Sequence, residues 1–541
     1  MFRENRRHLQ HALLENTQWM HPRILEKLKK SWAPIFYEEV FKRINEEPFA
    51  VLYDTIGKPN FPVNILLSLE YIKSIKDCND LELIDSFHFD YLVNYAVGMR
   101  ALGDINLADR TLYYFRERVY QHILENPGAE DLLFGQFLNL LHNFAEKAKI
   151  VLDMQRTDTT MFTANIKKAG RLALAYDVLV KAVKEIPDGK CPESLSQVLL
   201  PGFKTDTLYR SKAQEGEARL TQLLNLCRDA LTILESLPGG SESETAGIVR
   251  RFLNEQAIIV DESGKLAPKS KKEISPNSLQ SAHDPDATYR KKGVVGQSGY
   301  VGEITETCNK LNPFQLITDY AVHPNTLADS TILQSRLPVI HENTGCTDMY
   351  VDGGFHSEGI HQAAEENDVR VHLTGMSGTE PQMKLPVTRF QFAESNPVIL
   401  QCPAGHVPLR AGIHHTQTVA HFSHEACRNC EFQQQCYSRW QRKDCVVRIS
   451  LKAVKAAQYR EDIQTHIKEN TSLRAAIEGS NSAVKRTGLN DIQVRGLIKT
   501  RKVFGYLMAA QNIKRFIRFM QGGYKPKQSK PSPGILVPNC S

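Results

Sequence analysis

The chain has 541 residues, of which 41% are hydrophobic and 24% charged, and its formal net charge is +6. The longest apolar runs, such as residues 503–510, are too short to span a bilayer, and the N-terminus lacks the apolar segment of a signal peptide. These features exclude a membrane-spanning protein and predict a cytoplasmic one of about two to four domains. The eleven Cys include one cluster, which in a cytoplasmic protein favours a metal site over disulfides.

Residues 1–150 have the periodicity of packed helices. Apolar residues recur at helical spacing at Ile65, Leu66, Leu69 and Ile72, and Pro62 stands where a first helical turn would begin. Residues 110–118 mix aromatic residues with Arg, a composition found in DNA-reading helices but more often in packed cores. We predict a helical N-terminal domain over residues 1–150, with DNA binding as its role.

Strand patterns appear further along the chain, separated by a second helical region. Residues 151–160 form a short segment, residues 165–186 and 220–237 have long helical patterns, and residues 262–292 are polar as in an exposed linker. Residues 300–307 and 315–322 predict two paired strands. The strand–helix–strand pattern of residues 349–373 then predicts an α/β core with a parallel pair.

The predicted domain boundaries follow these changes of pattern. Residues 151–375 form the first part of the core, with a helical insertion at about 163–285. Residues 376–450 form a β-rich insertion that contains Cys, residues 451–522 form further helices, and residues 523–541 form a basic flexible tail.

Positive charge is concentrated near the C-terminus. Residues 485–530 contain twelve Lys or Arg and one acid, a net charge of +11, so the remainder carries −5. This asymmetry favours a polyanionic partner, although a solvated basic helix or tail would have the same composition.

Three carboxylates are candidates for catalysis. Glu478 follows Arg474 by four residues and precedes Lys485 by seven, so all three would share one face of an α-helix. An acid between two bases suits a metal ligand beside a phosphate backbone. Asp158 and Asp352 each follow a short apolar stretch and could complete the ligand set. We therefore predict phosphodiester chemistry on DNA, dependent on Mg²⁺ or Mn²⁺.

Each acid also has an ordinary structural alternative. Asp158 could cap a helix and Asp352, before two Gly, could belong to a turn. Four further acids are rivals: Asp286, Asp319, Asp329 and Asp348.

The Cys cluster predicts a structural zinc site. Its proposed ligands have the spacing Cys402-x24-Cys427-x2-Cys430-x5-Cys436. Four thiolates would close a tetrahedral Zn²⁺ site and leave no open position for catalysis. Three other residues could replace one of these ligands: His421, His424 and Cys445. The alternative is a set of buried Cys without metal.

Basic clusters are candidate phosphate contacts. We favour Arg290, Lys291 and Lys292 beside a Gly-containing loop; residues 499–502 and 514–518 are further candidates. Such clusters are more often solvated faces.

These motifs together resemble those of the DDE transposases of bacterial insertion sequences, in the RNase H-like superfamily. The segments around Asp158 and Asp352 are similar to the first-acid and second-acid motifs. The third-acid signature of the Tyr-Arg-Glu-Lys subgroup, Tyr-x2-Arg-x3-Glu-x6-Lys, is matched by Arg474, Glu478 and Lys485. Thr471 stands where that subgroup has Tyr.

The resemblance implies an RNase H-like catalytic core carrying a helical insertion and a zinc-bearing insertion. It implies cleavage and strand transfer on double-stranded DNA with terminal inverted repeats, by a homodimer in the synaptic complex. The expected location is the bacterial cytoplasm, with nucleoid association when DNA is bound. Two alternatives stay open: a metal-dependent nuclease without strand transfer, and a non-catalytic DNA-binding protein derived from a transposase.

Overall fold

The computed structural model describes residues 1–10, 15–128, 131–209, 215–262, 264–376, 383–393 and 396–524. The predicted basic tail, residues 523–541, lies almost wholly outside the described residues. The chain forms two compact units, Met1–Gly345 with Ile477–Ser541, and Cys346–Ala476.

Eighteen α-helices and fourteen strands are assigned within the described residues. The helices are α1 Pro22–Lys29, α2 Trp32–Glu39, α3 Val63–Lys76, α4 Asp80–Phe89, α5 Tyr91–Ala96, α6 Asp109–Glu125, α7 Leu132–Ala148, α8 Arg171–Glu185, α9 Glu193–Ser196, α10 Pro201–Leu208, α11 Gly216–Ser236, α12 Glu244–Gln256, α13 Asp329–Thr344, α14 Glu358–Glu366, α15 His424–Arg428, α16 Leu451–Ala475, α17 Ile477–Arg486 and α18 Leu497–Met520. The strands are β1 Met154–Thr163, β2 Ala257–Ile259, β3 Leu266–Pro268, β4 Thr288–Lys292, β5 Val295–Thr307, β6 Ile317–Pro324, β7 Asp348–Val351, β8 Arg370–Leu373, β9 Gln391–Phe392, β10 Ile399–Gln401, β11 Arg410–His414, β12 Gln417–Phe422, β13 Ser438–Trp440 and β14 Cys445–Ser450.

In the first unit, β5 is the strand around which the main sheet is built. It pairs antiparallel with β1 from Gln155↔Thr307 to Thr163↔Gly299, and antiparallel with β4 and β6. The predicted pairing of residues 300–307 with 315–322 is confirmed. Side chains on β1 and β5 therefore alternate between the two faces of the sheet. This alternation determines the face on which Asp158, Glu303 and Glu306 lie.

The N-terminal helices share one hydrophobic core with this sheet and with α18. Phe144 of α7 stacks on Phe516 of α18 with ring centroids 4.2 Å apart, and Phe162 of β1 stacks on Phe504. Residues 1–150 thus pack against the sheet and α18, and the predicted domain boundary at residue 150 stays a prediction.

Between β1 and β4 the chain forms five helices, α8 to α12, and the short β2–β3 pair. These elements enclose a separate core, in which Leu179, Leu224 and Phe252 are almost wholly buried. The helical segment between β1 and β4 is therefore stabilised by its own apolar contacts.

Among its described residues, the second unit contains the parallel pair β7–β8, the short antiparallel pair β9–β10 and a four-stranded antiparallel sheet. β7 pairs parallel with β8, and α14 connects them, as the strand–helix–strand pattern predicts. Four later strands form an antiparallel sheet in the order β11-β12-β14-β13, which packs against α16. The fold is therefore mixed α/β, as predicted.

One expectation about the third acid is wrong. Arg474, Glu478 and Lys485 do not lie on one continuous helix, because α16 ends at Ala475 and α17 begins at Ile477. Arg474 belongs to α16, whereas Glu478 and Lys485 belong to α17.

Among the described residues, none of the helices combines the length and the apolar composition that a membrane span requires.

Candidate active site

Asp158 lies near the middle of β1 and is half-buried. It stands opposite Ile304 of β5, so its side chain is on the sheet face that also carries Arg156 and Glu306. Asn481 of α17 donates a hydrogen bond from Nδ2 to Asp158 Oδ2, at 3.0 Å. Asp158 is therefore a strand residue held from the opposite side by a helix, and the helix-cap alternative is wrong.

Glu478 is the second residue of α17 and is exposed. It precedes Asn481 by three residues, a spacing at which side chains are neighbours on a helix surface. Asn481 is 8% exposed. The contact of Asn481 with Asp158 therefore places the helix that carries Glu478 against the strand that carries Asp158. Lys485 is half-buried in the last turns of the same helix.

A buried ion-pair cluster fixes this helix to the sheet. Glu306 is fully buried on β5 and receives hydrogen bonds from Arg156 at 2.6 Å, from Arg515 at 2.9 Å and from Ser480 of α17 at 2.7 Å. Burial raises the pKa of Glu306, but the two guanidinium groups and the Ser480 hydroxyl outweigh it and leave the pKa lowered. Glu306 is thus ionised and bridges β1, α17 and α18.

Sequence reasoning missed Asn481, Ser480 and Glu306. The sequence predicts residues 514–518 as phosphate contacts or a solvated face, whereas Arg515 pairs with the buried Glu306. Ser480 is 174 residues from Glu306 along the chain, and Asn481 is 323 residues from Asp158. No local spacing in the sequence therefore indicates these contacts. Lone Asn and Ser residues on a helix carry no motif of their own.

Asp352 directly follows β7 in the second unit. Its Oδ1 accepts a hydrogen bond from the Gly354 N–H at 2.8 Å, and its Oδ2 lies 3.5 Å from Nη2 of Arg474. A Cβ on Gly353 would lie 2.8 Å from the Gly375 carbonyl carbon, so only Gly fits there. Asp352 therefore does belong to a turn, which was its structural alternative. The same turn places the Asp352 carboxylate beside Arg474.

The remaining predicted site residues differ in how exposed they are. Thr471 is exposed on α16, one turn before Arg474. Arg290 of β4 is held by Asp329 at 3.1 Å, whereas Lys291 and Lys292 are exposed at the end of the β4–β5 hairpin. Lys291 and Lys292 are thus the accessible cations of the three predicted there.

The rival acids have structural partners. Asp319 is buried and bonded to Arg336, Asp329 pairs with Arg290, and Asp348 accepts a hydrogen bond from His372 at 2.7 Å. Asp286 Oδ2 accepts from the Leu497 backbone N–H at 2.9 Å, at the start of α18. Each of these contacts holds a helix or strand in place.

The four predicted zinc ligands line one small cavity of about 20 Å³ in the second unit. These ligands are Cys402, Cys427, Cys430 and Cys436. Cys427 also shares a hydrogen bond with Cys445, and burial, followed by the neighbouring thiols, raises its pKa to about 12. His421 contacts Asp444 and His424 contacts the Gln441 carbonyl. Of the alternative ligands, Cys445 is thus the one that joins the cluster.

Within the residues that the structure describes, no three His, Cys, Asp or Glu side chains are grouped closely enough to hold a metal ion. The predicted zinc and magnesium ligands therefore remain predictions. Soft thiols gathered around one cavity do fit zinc by chemical type. Asn481 Oδ1, which is buried and has no hydrogen-bond partner among the described residues, is a hard oxygen donor beside Asp158 and fits a divalent cation.

Comparison with known proteins gives one family. Residues 401–517 match the family model described as a transposase DDE domain, a segment that includes Arg474, Glu478 and Lys485 and the predicted zinc ligands. No curated protein and no solved structure matches the chain. The family match confirms the resemblance to the DDE transposases and indicates an enzyme that acts on DNA.

Proposed function

We propose that this chain, whose residues 401–517 belong to the transposase DDE domain family, is a DNA transposase that cleaves insertion-sequence ends and joins them to target DNA. The observation that carries the proposal is the 3.0 Å hydrogen bond from Asn481 to Asp158. It attaches α17, which lies inside the family match and bears Glu478, to the strand that bears the first proposed acid.

In this proposal Asp158, Asp352 and Glu478 are the catalytic carboxylates and would hold Mg²⁺ or Mn²⁺. When bound, such ions activate the attacking water or 3′-hydroxyl and stabilise the leaving oxygen. Asn481 orients Asp158 through its amide N–H and offers its unused Oδ1 to the same site. The hard oxygen donors of all four side chains suit these ions.

Positively charged side chains would position the DNA. Arg474 lies 3.5 Å from Asp352, so it orients that carboxylate and would place a phosphate beside it. Lys485 on α17 and the exposed Lys291 and Lys292 on β4 would contact the backbone elsewhere. Arg290, which pairs with Asp329, acts by fixing the hairpin on which these two lysines stand.

The finer features of the proposal rest on the resemblance. They are an RNase H-like core, supported by the antiparallel β1–β5–β6 strands, and membership of the Tyr-Arg-Glu-Lys subgroup despite Thr471. They also include DNA binding by residues 1–150, a structural zinc within residues 376–450, and a homodimer that brings together two DNA ends with terminal inverted repeats. The proposed location is the bacterial cytoplasm, at the nucleoid when DNA is bound.

The test is cleavage and strand transfer on duplexes carrying the inverted repeats that flank this reading frame. We expect Mg²⁺-dependent activity for the wild-type protein, and at least a thousandfold loss for Asp352→Ala and Glu478→Ala with end binding retained, because each variant loses a metal ligand. Asp462→Asn, an exposed acid on α16, is the matched control and should remain active. Cleavage by either alanine variant at the wild-type rate would reject the assignment.

Two rival functions give different outcomes in the same experiment. A nuclease without strand transfer would cut the ends but would not join precleaved ends to target DNA. A non-catalytic derivative would bind the ends and neither cut nor join them at any Mg²⁺ or Mn²⁺ concentration. The complete acid set favours the transposase over this last alternative.

A further inference from the structure

The antiparallel sheet of the second unit has two unlike faces. One face is apolar, and its residues Ala420, Phe422, Cys445, Val447 and Ile449 are buried in a core with α16. Because side chains alternate along a strand, the residues between them belong to the opposite face. That opposite face is called here the open sheet face.

Strand register identifies the open sheet face residue by residue. Arg410 pairs with His421, His421 with Val446, and Val446 with Arg439, so one row crosses all four strands. The neighbouring rows contribute Gly412, His414, Gln417, Val419, Arg448 and Ser450.

Three arginines dominate this face. Arg410, Arg439 and Arg448 are exposed, whereas Val446 and Val419 between them are 1% and 6% exposed. The aliphatic parts of long side chains commonly cover such apolar residues while the charged ends stay in water. The face therefore exposes three guanidinium groups, and the two valines between them are buried.

Beside the arginines lies a shallow hollow of about 390 Å³. It is lined by His414, His415, Gln417, His421 and Arg448, together with Thr416 and Val419. The hollow therefore has hydrogen-bonding groups on most of its sides.

Asp444 contacts two residues of this face. Its side chain is 13% exposed and lies 2.8 Å from His421 and 3.5 Å from Arg410. Over residues 401–455, all described by the structure, the chain has eight Lys or Arg against three acids. This segment is thus locally basic.

We propose that the open sheet face binds the phosphate backbone of duplex DNA. Guanidinium forks match phosphate oxygens, and several separated cations suit an extended polyanion better than a single small anion. Arg410 and Arg439 are three strand intervals apart, about 14 Å at the usual strand spacing. That separation is close to the major-groove width of about 12 Å, so the two side chains reach phosphates on both sides of one groove.

This inference rests on the proposed function for its partner, since a transposase holds duplex DNA. It adds a binding surface made of residues other than the acids and other than Arg474, Lys485, Lys291 and Lys292. It also gives the Cys-containing module a role: the apolar face and its thiols keep the sheet in shape, and the open sheet face contacts DNA.

The test is equilibrium binding of the full-length protein to a labelled duplex of unrelated sequence over a range of salt concentrations. The variant Arg410→Ala/Arg439→Ala/Arg448→Ala should bind at least tenfold more weakly. The slope of log affinity against log salt should also become shallower by roughly 3, since each phosphate contact contributes about 0.9. The same three positions changed to Lys should retain most of the binding.

The matched control, Arg428→Ala/Lys455→Ala/Lys468→Ala, removes the same charge from exposed residues outside this sheet and should leave binding within about twofold of wild type. Arg448→Glu alone, at an exposed position, provides a second variant if the triple alanine protein does not fold. Unchanged affinity and slope in the face variants would overturn the inference while leaving the proposed function intact, and so would an equal loss in the control. Wild-type protein that binds no duplex would overturn both.

Discussion

Two buried glutamates on β5 have opposite electrostatic surroundings. Glu303 and Glu306 are three residues apart and therefore lie on opposite faces of the sheet. Glu306 is paired with Arg156 and Arg515, whereas neither carboxyl oxygen of Glu303 has a hydrogen-bond partner among the described residues. Burial, and next the neighbouring Asp319, raises the pKa of Glu303 well above its ordinary value, and Arg336 offsets this only in part. The surroundings of Glu303 therefore favour the neutral carboxyl group, whereas those of Glu306 favour the ionised carboxylate.

This difference predicts a pH-dependent effect of Glu303→Gln. A glutamate whose pKa is raised on folding stabilises the fold below its unfolded pKa of about 4.5 and loses that contribution as pH rises toward the folded pKa. The variant, which cannot ionise, should therefore gain stability relative to wild type between pH 5 and pH 8, by roughly 1–2 kcal/mol. Urea unfolding at several pH values measures this. A difference in unfolding free energy that stays constant with pH would contradict the assignment.

At the scale of single elements, α17 connects the family-matched region to the sheet. Ser480 and Asn481 are neighbours in sequence, and one bonds Glu306 while the other bonds Asp158. The helix is short and begins immediately after the interruption at Ala476. Its position is therefore set by these two polar contacts together with the buried Ile477 and Val484.

We expect Asn481→Ala to act on Asp158, the proposed catalytic carboxylate, more than on the fold. Losing one hydrogen bond costs about 1 kcal/mol of stability. Loss of the amide beside Asp158 should lower DNA cleavage at least tenfold and raise the Mg²⁺ concentration needed for half-maximal rate. Ser480→Ala, which removes the adjacent contact to Glu306, is the control and should leave the Mg²⁺ requirement unchanged. Equal Mg²⁺ requirements for wild type and Asn481→Ala would count against the proposed role.

The Cys-lined cavity leads to a prediction about metal content. If zinc joins the thiols around Cys427, purified protein should carry about one zinc per chain, and Cys427→Ser should lose it and melt at a lower temperature. Cys191→Ser, at a half-buried thiol in the first unit, should change neither quantity. Metal analysis after dialysis, together with thermal unfolding, measures both. Wild-type protein that contains no zinc would refute the site.

For the whole molecule, the main consequence is that the N-terminal helices and the sheet share one core. Phe137 and Phe134 of α7 contact Tyr320 of β6, and Phe144 stacks on Phe516 of α18. Residues 1–150 thus contribute to folding in addition to any role in binding DNA. Arg116, bonded to Glu70 and Asp80, further ties α6 to α3 and α4.

A truncated chain that begins at residue 151 should therefore fail to fold. Removal of α1 to α7 would uncover the aromatic face formed by Tyr320, Phe504 and Phe516, and exposed apolar patches of this kind cause aggregation. We expect the truncated protein to lack a cooperative thermal transition, which the full chain should show under the same conditions. A soluble truncated protein that unfolds cooperatively would show that residues 1–150 form a separable domain.

Local patterns predicted the elements better than their assembly. The strand pair of β5 and β6, the parallel pair β7–β8 and the start of α3 after Pro62 follow from periodicity and turn residues. The single face expected for Arg474, Glu478 and Lys485 assumed that the helix is continuous. It fails because a break of one residue at Ala476 has no signal in helix propensity, as Ala is a strong helix former.

The sequence by itself determined the acids, their spacing and the transposase resemblance, because motif chemistry resides in residue type and local spacing. Only the tertiary structure decided that Asn481 reaches Asp158 across 323 residues and that Glu306 joins Arg156, Ser480 and Arg515. It also decided that three arginines from three strands form one basic face. Such contacts depend on how strands pair and helices pack, and those arrangements bring together residues whose distance along the chain carries no pattern.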